Sequence, residues 1–76
     1  MNKQFSLEEL GKDWGKRLVA RTDVCDFSNG ILHPRTMANH DCLGTGPGKI
    51  VIGKKVFYET AALITWMQSR MGVRHG

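Results

Sequence analysis

Apolar residues recur at helical spacing near the start of the chain, at Leu7, Leu10, Trp14 and Leu18. Ser6 and Glu9 have the form of a capping box, in which each side chain satisfies a free backbone N–H at the start of a helix. The pattern predicts an N-terminal helix that buries one face. Gly11 and Gly15 each weaken a helix by about 1 kcal/mol relative to alanine, so we expect this helix to depend on docking for its stability.

A second, shorter helix is predicted after residues 22 and 23, which offer an N-cap. Asn29 and Gly30 are expected to end it, because both residues tolerate the left-handed backbone conformation. We expect Ile31 and Leu32 to fill the core across the turn that follows.

A third helix is predicted to open at His33-Pro34, with proline at the first helical position, where its missing N–H costs nothing. This helix is expected to run through about Leu43 and to stop at Gly44. Met37 and Leu43 are expected to face inward. Two short helices joined by a tight turn form the helix-turn-helix pattern.

Two apolar runs, 49–52 and 56–58, are rich in β-branched and aromatic residues and predict a β-hairpin after the loop 45–48. A three-residue loop over 53–55 would pair Ile52 with Val56. Ile50 would then pair with Tyr58, and all four would share one face. A two-residue turn would pair Ile52 with Lys55 and mix the faces. We favour the three-residue loop because it segregates the apolar residues and frees both lysines of the tip.

A last helix is predicted to start at Glu59 or Thr60 and to carry Arg70 near its end, as the helix dipole favours. Its buried stripe is expected to comprise Leu63, Ile64, Trp66 and Met67. The element order predicts a single α+β domain over residues 1–76. The expected fold is a small winged helix-turn-helix domain, with a two-stranded β-hairpin as the wing and residues 1–17 as an extra N-terminal helical extension.

The net charge of +4 is unevenly distributed along the chain. Residues 1–48 hold six basic and six acidic side chains, whereas residues 49–76 hold five basic side chains and one acidic side chain. The whole excess therefore belongs to the hairpin and the last helix. That asymmetry suits a polyanionic partner, although solubility alone would also explain a positive charge.

Other features narrow the class of protein. No apolar run approaches the roughly 20 residues that span a bilayer, and the N-terminus lacks the apolar stretch of a signal peptide, so we expect a cytoplasmic protein without a membrane partner.

The spacing of Cys25, His33, His40 and Cys42 lacks the paired geometry of structural zinc sites. We therefore expect no metal and no other cofactor. Ser28 lies beside no plausible base, and we do not expect an enzyme.

The stretch from Leu18 to Met67 resembles the excisionase and AlpA-like DNA-binding domains of phages and other mobile elements, which are related to MerR-type winged helices. The matching motifs are RTMAN at the start of the second helix of the pair, the glycine-proline break, KIVIGKKVFY as the wing and AALITWM in the last helix. Two features depart from the family pattern. The family usually has leucine or a similar residue where His40 falls, and the helix with Trp14 is not part of the minimal pattern.

The resemblance implies a sequence-specific DNA-binding protein that acts as an excisionase (a recombination directionality factor), as a small transcriptional regulator, or as both. It implies double-stranded DNA as the partner, an integrase or recombinase beside it, and cooperative self-association on DNA. A bacterial, nucleoid-associated location follows from the same resemblance. Bending DNA and binding it cooperatively require no catalytic group, which fits a chain of 76 residues.

Candidate DNA-binding residues follow from this interpretation. A helix fits the major groove and meets base edges with its N-terminal residues. The outward residues of the third helix are expected to be Arg35, Thr36, Ala38, Asn39 and His40. Arg35 suits guanine or phosphate, and Asn39 suits adenine. His40 is more simply explained as a packing residue.

The lysines of the hairpin are the second group of candidates. Lys54 and Lys55 at the wing tip would lie along phosphates or enter the minor groove. The alternative is a charged turn that protects an edge. Weaker candidates are Thr45, Lys49 and Arg74. The alternative function is a protein-interaction module, in which amphipathic helices around Trp14 and Trp66 and the basic patch bind a partner.

Overall fold

A computed structural model describes residues 6–70 of the chain. Within this range the protein is an α+β domain of four α-helices and a three-stranded antiparallel sheet. The elements in chain order are α1 (Glu8–Trp14), β1 (Leu18–Ala20), a 3₁₀ helix (Arg21–Asp23), α2 (Val24–Phe27), α3 (Pro34–Leu43), β2 (Ile50–Ile52), β3 (Lys55–Glu59) and α4 (Thr60–Arg70). The first five residues of the predicted extension and the candidate Arg74 lie outside the described residues.

The capping box of α1 is formed in part. The Ser6 N–H donates to Oε2 of Glu9 at 3.1 Å, as predicted, but Oγ of Ser6 accepts from the Glu8 N–H at 3.3 Å and not from that of Glu9. The helix ends at Gly15, whose φ is 67°. Leu18, predicted as an apolar position of this helix, therefore lies on β1 instead.

The first helix, which was expected to depend on docking, docks on its own domain. At Gly11 the backbone of α1 approaches α4 so closely that an added Cβ would lie 2.5 Å from Cδ1 of Ile64. Trp14 packs edge-on against Phe27 with 5.7 Å between ring centroids, and its Nε1–H donates to the Leu18 carbonyl at 3.0 Å. Gly11, which weakens α1 as an isolated helix, thus allows its close packing on α4.

Strand β1 was not predicted, and it makes the sheet three-stranded where a two-stranded hairpin was expected. Its central residue Val19 pairs with Tyr58, and both side chains are fully buried. The contact continues into α4, where the Thr60 N–H donates to the Arg17 carbonyl at 2.8 Å. Three residues are too few to show a clear alternation in sequence, so only pairing with β3 defines this strand.

The register of the hairpin differs from the prediction. Ile52 pairs with Lys55, and Ile50 pairs with Phe57. The turn has only two central residues, and the first of them, Gly53, has a φ of 62°, as in the type II′ turns that favour glycine at that position. All of β2 is exposed. A register that placed the apolar residues of β2 on one face would therefore bury little of their surface. For this reason the local turn geometry decides the register.

The turn between α2 and α3 follows the prediction in most respects. Asn29 adopts a left-handed conformation with a φ of 56°, and Leu32 is fully buried. Ile31 does not fill the core, because half of its surface (50%) is exposed. The buried hydroxyl of Ser28 closes the turn: it donates to the Val24 carbonyl at 2.6 Å and accepts from the Leu32 N–H at 2.8 Å.

Helix α3 begins with Pro34 at its first turn and ends at Leu43, as predicted. Met37 is fully buried, but Leu43 is 74% exposed, so the prediction for Leu43 is wrong. Leu43 comes six positions after Met37, which places the two side chains about 120° apart around the helix. The inward position one turn after Met37 belongs instead to Asp41.

Helix α4 starts at Thr60 and completes the core, as predicted. Its buried residues include the expected apolar stripe of Leu63, Ile64, Trp66 and Met67. They pack with residues of every other helix and of β1 and β3, including Leu10, Val19, Phe27, Met37 and Tyr58. None of the helices in the described range is long and apolar enough to cross a membrane.

We predict that Ser28→Ala lowers the free energy of unfolding by about 1–3 kcal/mol, because it leaves the buried Leu32 N–H without an acceptor. Ser69→Ala is the matched control. Ser69 also donates to a helix carbonyl, that of Trp66 at 2.8 Å, but it is exposed, so its removal should change the stability by less than about 0.5 kcal/mol. Urea denaturation measures both values, and equal effects would contradict the role given to Ser28.

Candidate nucleic-acid interface

The outward face of α3 carries two of the predicted base-reading residues. Arg35 and Asn39 are four residues apart, share one face of the helix and are both exposed. Cys42 and Leu43 are exposed beside them, one turn further along. Sequence reasoning missed Leu43 because this residue was assigned to the core, and it considered Cys42 only as a possible metal ligand or disulfide partner.

Thr36 and His40 lie at the border of this face and are half-buried. His40 is engaged within the domain: a 2.8 Å hydrogen bond joins its Nδ1 to Oγ1 of Thr45, and its ring packs edge-on against Trp66 with 5.0 Å between centroids. The packing explanation for His40 therefore fits the geometry better than an outward, base-contacting role does.

The inward side of α3 is attached to the hairpin by a partly buried polar cluster that sequence reasoning did not predict. The Asp41 carboxylate accepts from Nη2 of Arg21 at 2.6 Å and from the hydroxyl of Tyr58 at 2.5 Å. Nε of Arg21 also donates to the Tyr58 hydroxyl at 3.0 Å. We call Arg21, Asp41 and Tyr58 the clamp, because they join α3, the 3₁₀ helix and β3.

The electrostatics of the clamp follow from its burial. The Asp41 side chain is 5% exposed and the Arg21 side chain is 26% exposed, so this ion pair is little screened by solvent. Burial, followed by the hydrogen bond to Asp41, raises the pKa of Tyr58 to about 12. Hydrogen bonds to Tyr58 and to Asp41 raise the pKa of Arg21 above its usual value. Arg21 therefore stays charged and Tyr58 stays neutral at physiological pH.

A second contact holds the loop between α3 and β2. Nε1 of Trp66 donates to the Thr45 carbonyl at 2.8 Å, which fixes the start of the loop on α4. Gly46 then passes so close to α3 that an added Cβ would lie 2.5 Å from Oδ1 of Asp41. Lys49, at the end of the loop, borders the same shallow depression as Asp41. The weaker candidates Thr45 and Lys49 are thus placed next to the end of α3, with Thr45 engaged in holding the loop.

The two lysines of the hairpin tip occupy different positions, contrary to the prediction that both lie in the loop. Lys54 is the second residue of the turn, whereas Lys55 begins β3 opposite Ile52. Both are exposed, as is Lys49. Within residues 6–70 the ion pairs join Arg17 to Glu59 and Arg21 to Asp41. In this part of the chain the three lysines and Arg35 therefore form no ion pair and can meet an external anion.

No metal centre is built from the described side chains, since no three potential ligands converge among residues 6–70. Cys25 and Cys42 are free thiols. The arrangement offers unpaired cations, an exposed amide and hydroxyls. These groups bind anions and hydrogen-bonding edges.

Comparison of the chain with protein-family models, with curated proteins and with solved structures finds no match. Any functional assignment therefore depends on the residues and geometry of the chain itself.

We predict that Tyr58, the only tyrosine of the chain, ionises with a pKa of about 12 in the folded protein, compared with 10.0 for an ordinary tyrosine. Because the folded pKa lies above the unfolded value, the stabilisation is fully present below pH 10.0 and is lost as the pH rises through about 12. Titration of the tyrosinate absorbance measures this, with the protein unfolded in denaturant as the reference.

Asp41→Asn is the informative variant for this titration. It removes the carboxylate but leaves Tyr58 buried, so the pKa of Tyr58 should fall part of the way toward its ordinary value. A folded wild-type protein that titrates at the ordinary value would contradict the geometry of the clamp.

Proposed function

We propose that this protein is a sequence-specific DNA-binding protein of the winged helix-turn-helix type, with α3 as the recognition helix and the β2–β3 hairpin as the wing. One observation carries the proposal: Arg35 and Asn39 stand exposed on one face of α3, while the clamp holds the opposite face against the strand that leads from the wing. A helix held in this way can enter a groove without losing its place in the domain.

The polar side chains exposed on α3 can form hydrogen bonds with the bases and phosphates of double-stranded DNA. Arg35 lies in the first turn of α3, where a recognition helix contacts base edges or phosphates, and its guanidinium can bind guanine through two hydrogen bonds. Asn39 carries the paired donor and acceptor that match adenine. Thr36 can add a hydroxyl contact at the border. His40 contributes less, because its ring is held by Thr45 and Trp66.

The wing supplies positive charge beside this helix. Lys54 at the tip contacts the phosphate backbone or the adjacent minor groove, and Lys49 and Lys55 add charge along the hairpin. Residues 49–76 hold five basic residues and one acidic residue, and this positive charge also attracts the phosphates of DNA. Phosphate contacts of this kind position the protein, and the contacts of α3 specify the sequence.

The biological role that fits such a small domain is that of an excisionase, a transcriptional regulator or both, in a phage or another mobile element. We propose double-stranded DNA as its partner, an integrase or recombinase as a neighbour on that DNA, and a place of action on the bacterial nucleoid. Binding and bending need no catalytic group, so no enzymatic activity is proposed.

The alternative of a protein-interaction module built on the two tryptophans has less support. Trp66 is 8% exposed and belongs to the core. Trp14 packs against Phe27 and donates to the backbone of β1. Both indoles are thus occupied within the domain, which favours DNA as the partner of the exposed polar surface.

We predict that selection from a random duplex pool yields a defined target and that footprinting shows whether one site or several sites in phase are protected. Asn39→Ala should then lose the preference for adenine at one position, at a cost of about 1–3 kcal/mol in binding free energy. Gln68→Ala, an exposed amide on α4, is the control and should bind as the wild type does. An unchanged preference in Asn39→Ala would exclude the proposed reading of adenine.

The role of the wing can be tested separately through salt. Each neutralised phosphate contributes about 0.9 to the slope of log affinity against log salt, so Lys54→Ala should flatten the slope by about that amount and Lys54→Ala with Lys55→Ala by more. Lys12→Ala removes an equal charge from an exposed position on α1 and should leave the slope unchanged. A double variant with the wild-type slope would refute the wing contact.

A further inference from the structure

The sheet has an apolar surface on the side that faces away from the core. Successive residues of a strand point to opposite faces, and the core face is marked by Val19 and Tyr58, which are both fully buried. The residues that alternate with these two along their strands, and the residues of β2 on the same side, point to the opposite face. We call this surface the outer sheet face, and its apolar members are Leu18, Ala20, Ile50, Ile52 and Phe57.

These side chains are only partly covered. Ile50 is 38% exposed and Ile52 is 53% exposed. The other three members are half-buried, and Leu18 and Phe57 do not belong to the core cluster. The register aligns Ile50, Phe57 and Ala20 in one row across all three strands. A contiguous apolar row of this kind, ending on an exposed edge strand, is typical of a surface that another protein covers.

The charged residues beside this apolar row indicate which protein covers the outer sheet face. Strand β3 presents Lys55, Phe57 and Glu59 on the outer face, in that order, with the lysine toward the hairpin tip and the glutamate at the opposite end. A two-fold axis that lies between two facing sheets, beside Phe57 and perpendicular to β3, would place Lys55 of one copy opposite Glu59 of the other and Glu59 of the first opposite Lys55 of the second. The pattern is therefore complementary to itself, which is what an isologous interface requires.

We propose that the outer sheet face is a homodimer interface, in which two copies of the chain pack sheet against sheet around a two-fold axis near Phe57. Packed sheets lie about 10 Å apart, a distance that the long side chain of Lys55 can span to reach a carboxylate. Within one chain Glu59 pairs with Arg17 at 3.4 Å, and both side chains are well exposed. Such a pair contributes little, so Glu59 is available to a second cation.

The interface shares one residue, Lys55, with the DNA contacts proposed above. It assigns Lys55 to the partner copy and leaves Lys54, in the turn, and the outward face of α3 to DNA. Dimerisation is therefore measured on the protein alone, and its failure would leave the proposal of DNA binding untouched. Conversely, a dimer that binds no DNA would support the interface and refute the DNA-binding function.

The test uses two neighbouring residues of β2 that are similarly exposed but point to opposite faces: Ile52 at 53% and Val51 at 57%. Sedimentation velocity over a concentration series should show the wild-type protein approaching twice the monomer mass of 8.5 kDa. Ile52→Asp should raise the dimer dissociation constant by about tenfold or more, because it places a carboxylate in an apolar contact. Val51→Asp should leave it unchanged. Circular dichroism confirms that both variants are folded.

A charge exchange tests the two-fold arrangement itself. Lys55→Glu and Glu59→Lys should each weaken the dimer, because each places like charges opposite one another. The double variant restores opposite charges at both positions and should recover the dimer. A wild-type protein that stays monomeric up to about 1 mM, equal losses in Ile52→Asp and Val51→Asp, or a double variant no better than the single ones would overturn the proposal.

Discussion

The buried carboxylate of Asp41 is the group on which the arrangement of this domain depends. A charge with only 5% of its side chain exposed must be compensated, since removing it from water is costly unless partners replace the water. Arg21 and Tyr58 supply that compensation from two other elements. The requirement fixes where the 3₁₀ helix and β3 stand relative to α3, and no apolar contact could impose it with the same directionality.

The rotation of α3 about its own axis follows from this constraint. Met37 lies in the core and Asp41 is bonded to Arg21 and Tyr58. The opposite side of the helix therefore carries Arg35 and Asn39, with Leu43 beside them. The loop after α3 is held in turn by the bond from Trp66 to the Thr45 carbonyl and passes against Asp41. The position of the hairpin is thus set from both of its ends, by the loop before β2 and by Tyr58 in β3.

In the hairpin, the geometry of the turn and the segregation of apolar residues on one face favour different registers. A two-residue turn led by Gly53 places Ile50 and Ile52 on the face opposite to Tyr58. One face of the sheet then completes the core, and the other carries the apolar row centred on Phe57. The exposed hairpin would gain little burial from the alternative register. The sheet therefore has two apolar faces, and only one of them is covered by its own helices.

Local signals in the sequence determined where most elements begin and end: Pro34 opened α3, Asn29 marked the turn before it, and the apolar stripe of α4 was placed correctly. Tertiary structure alone decided the existence of β1, the exposure of Leu43 and the formation of the clamp. The physical reason is sequence distance. Caps, turns and helical stripes depend on neighbours within about one helical turn, whereas Arg21 finds its partners 20 and 37 residues away, and a strand as short as Val19 and its two neighbours exists only because β3 lies beside it.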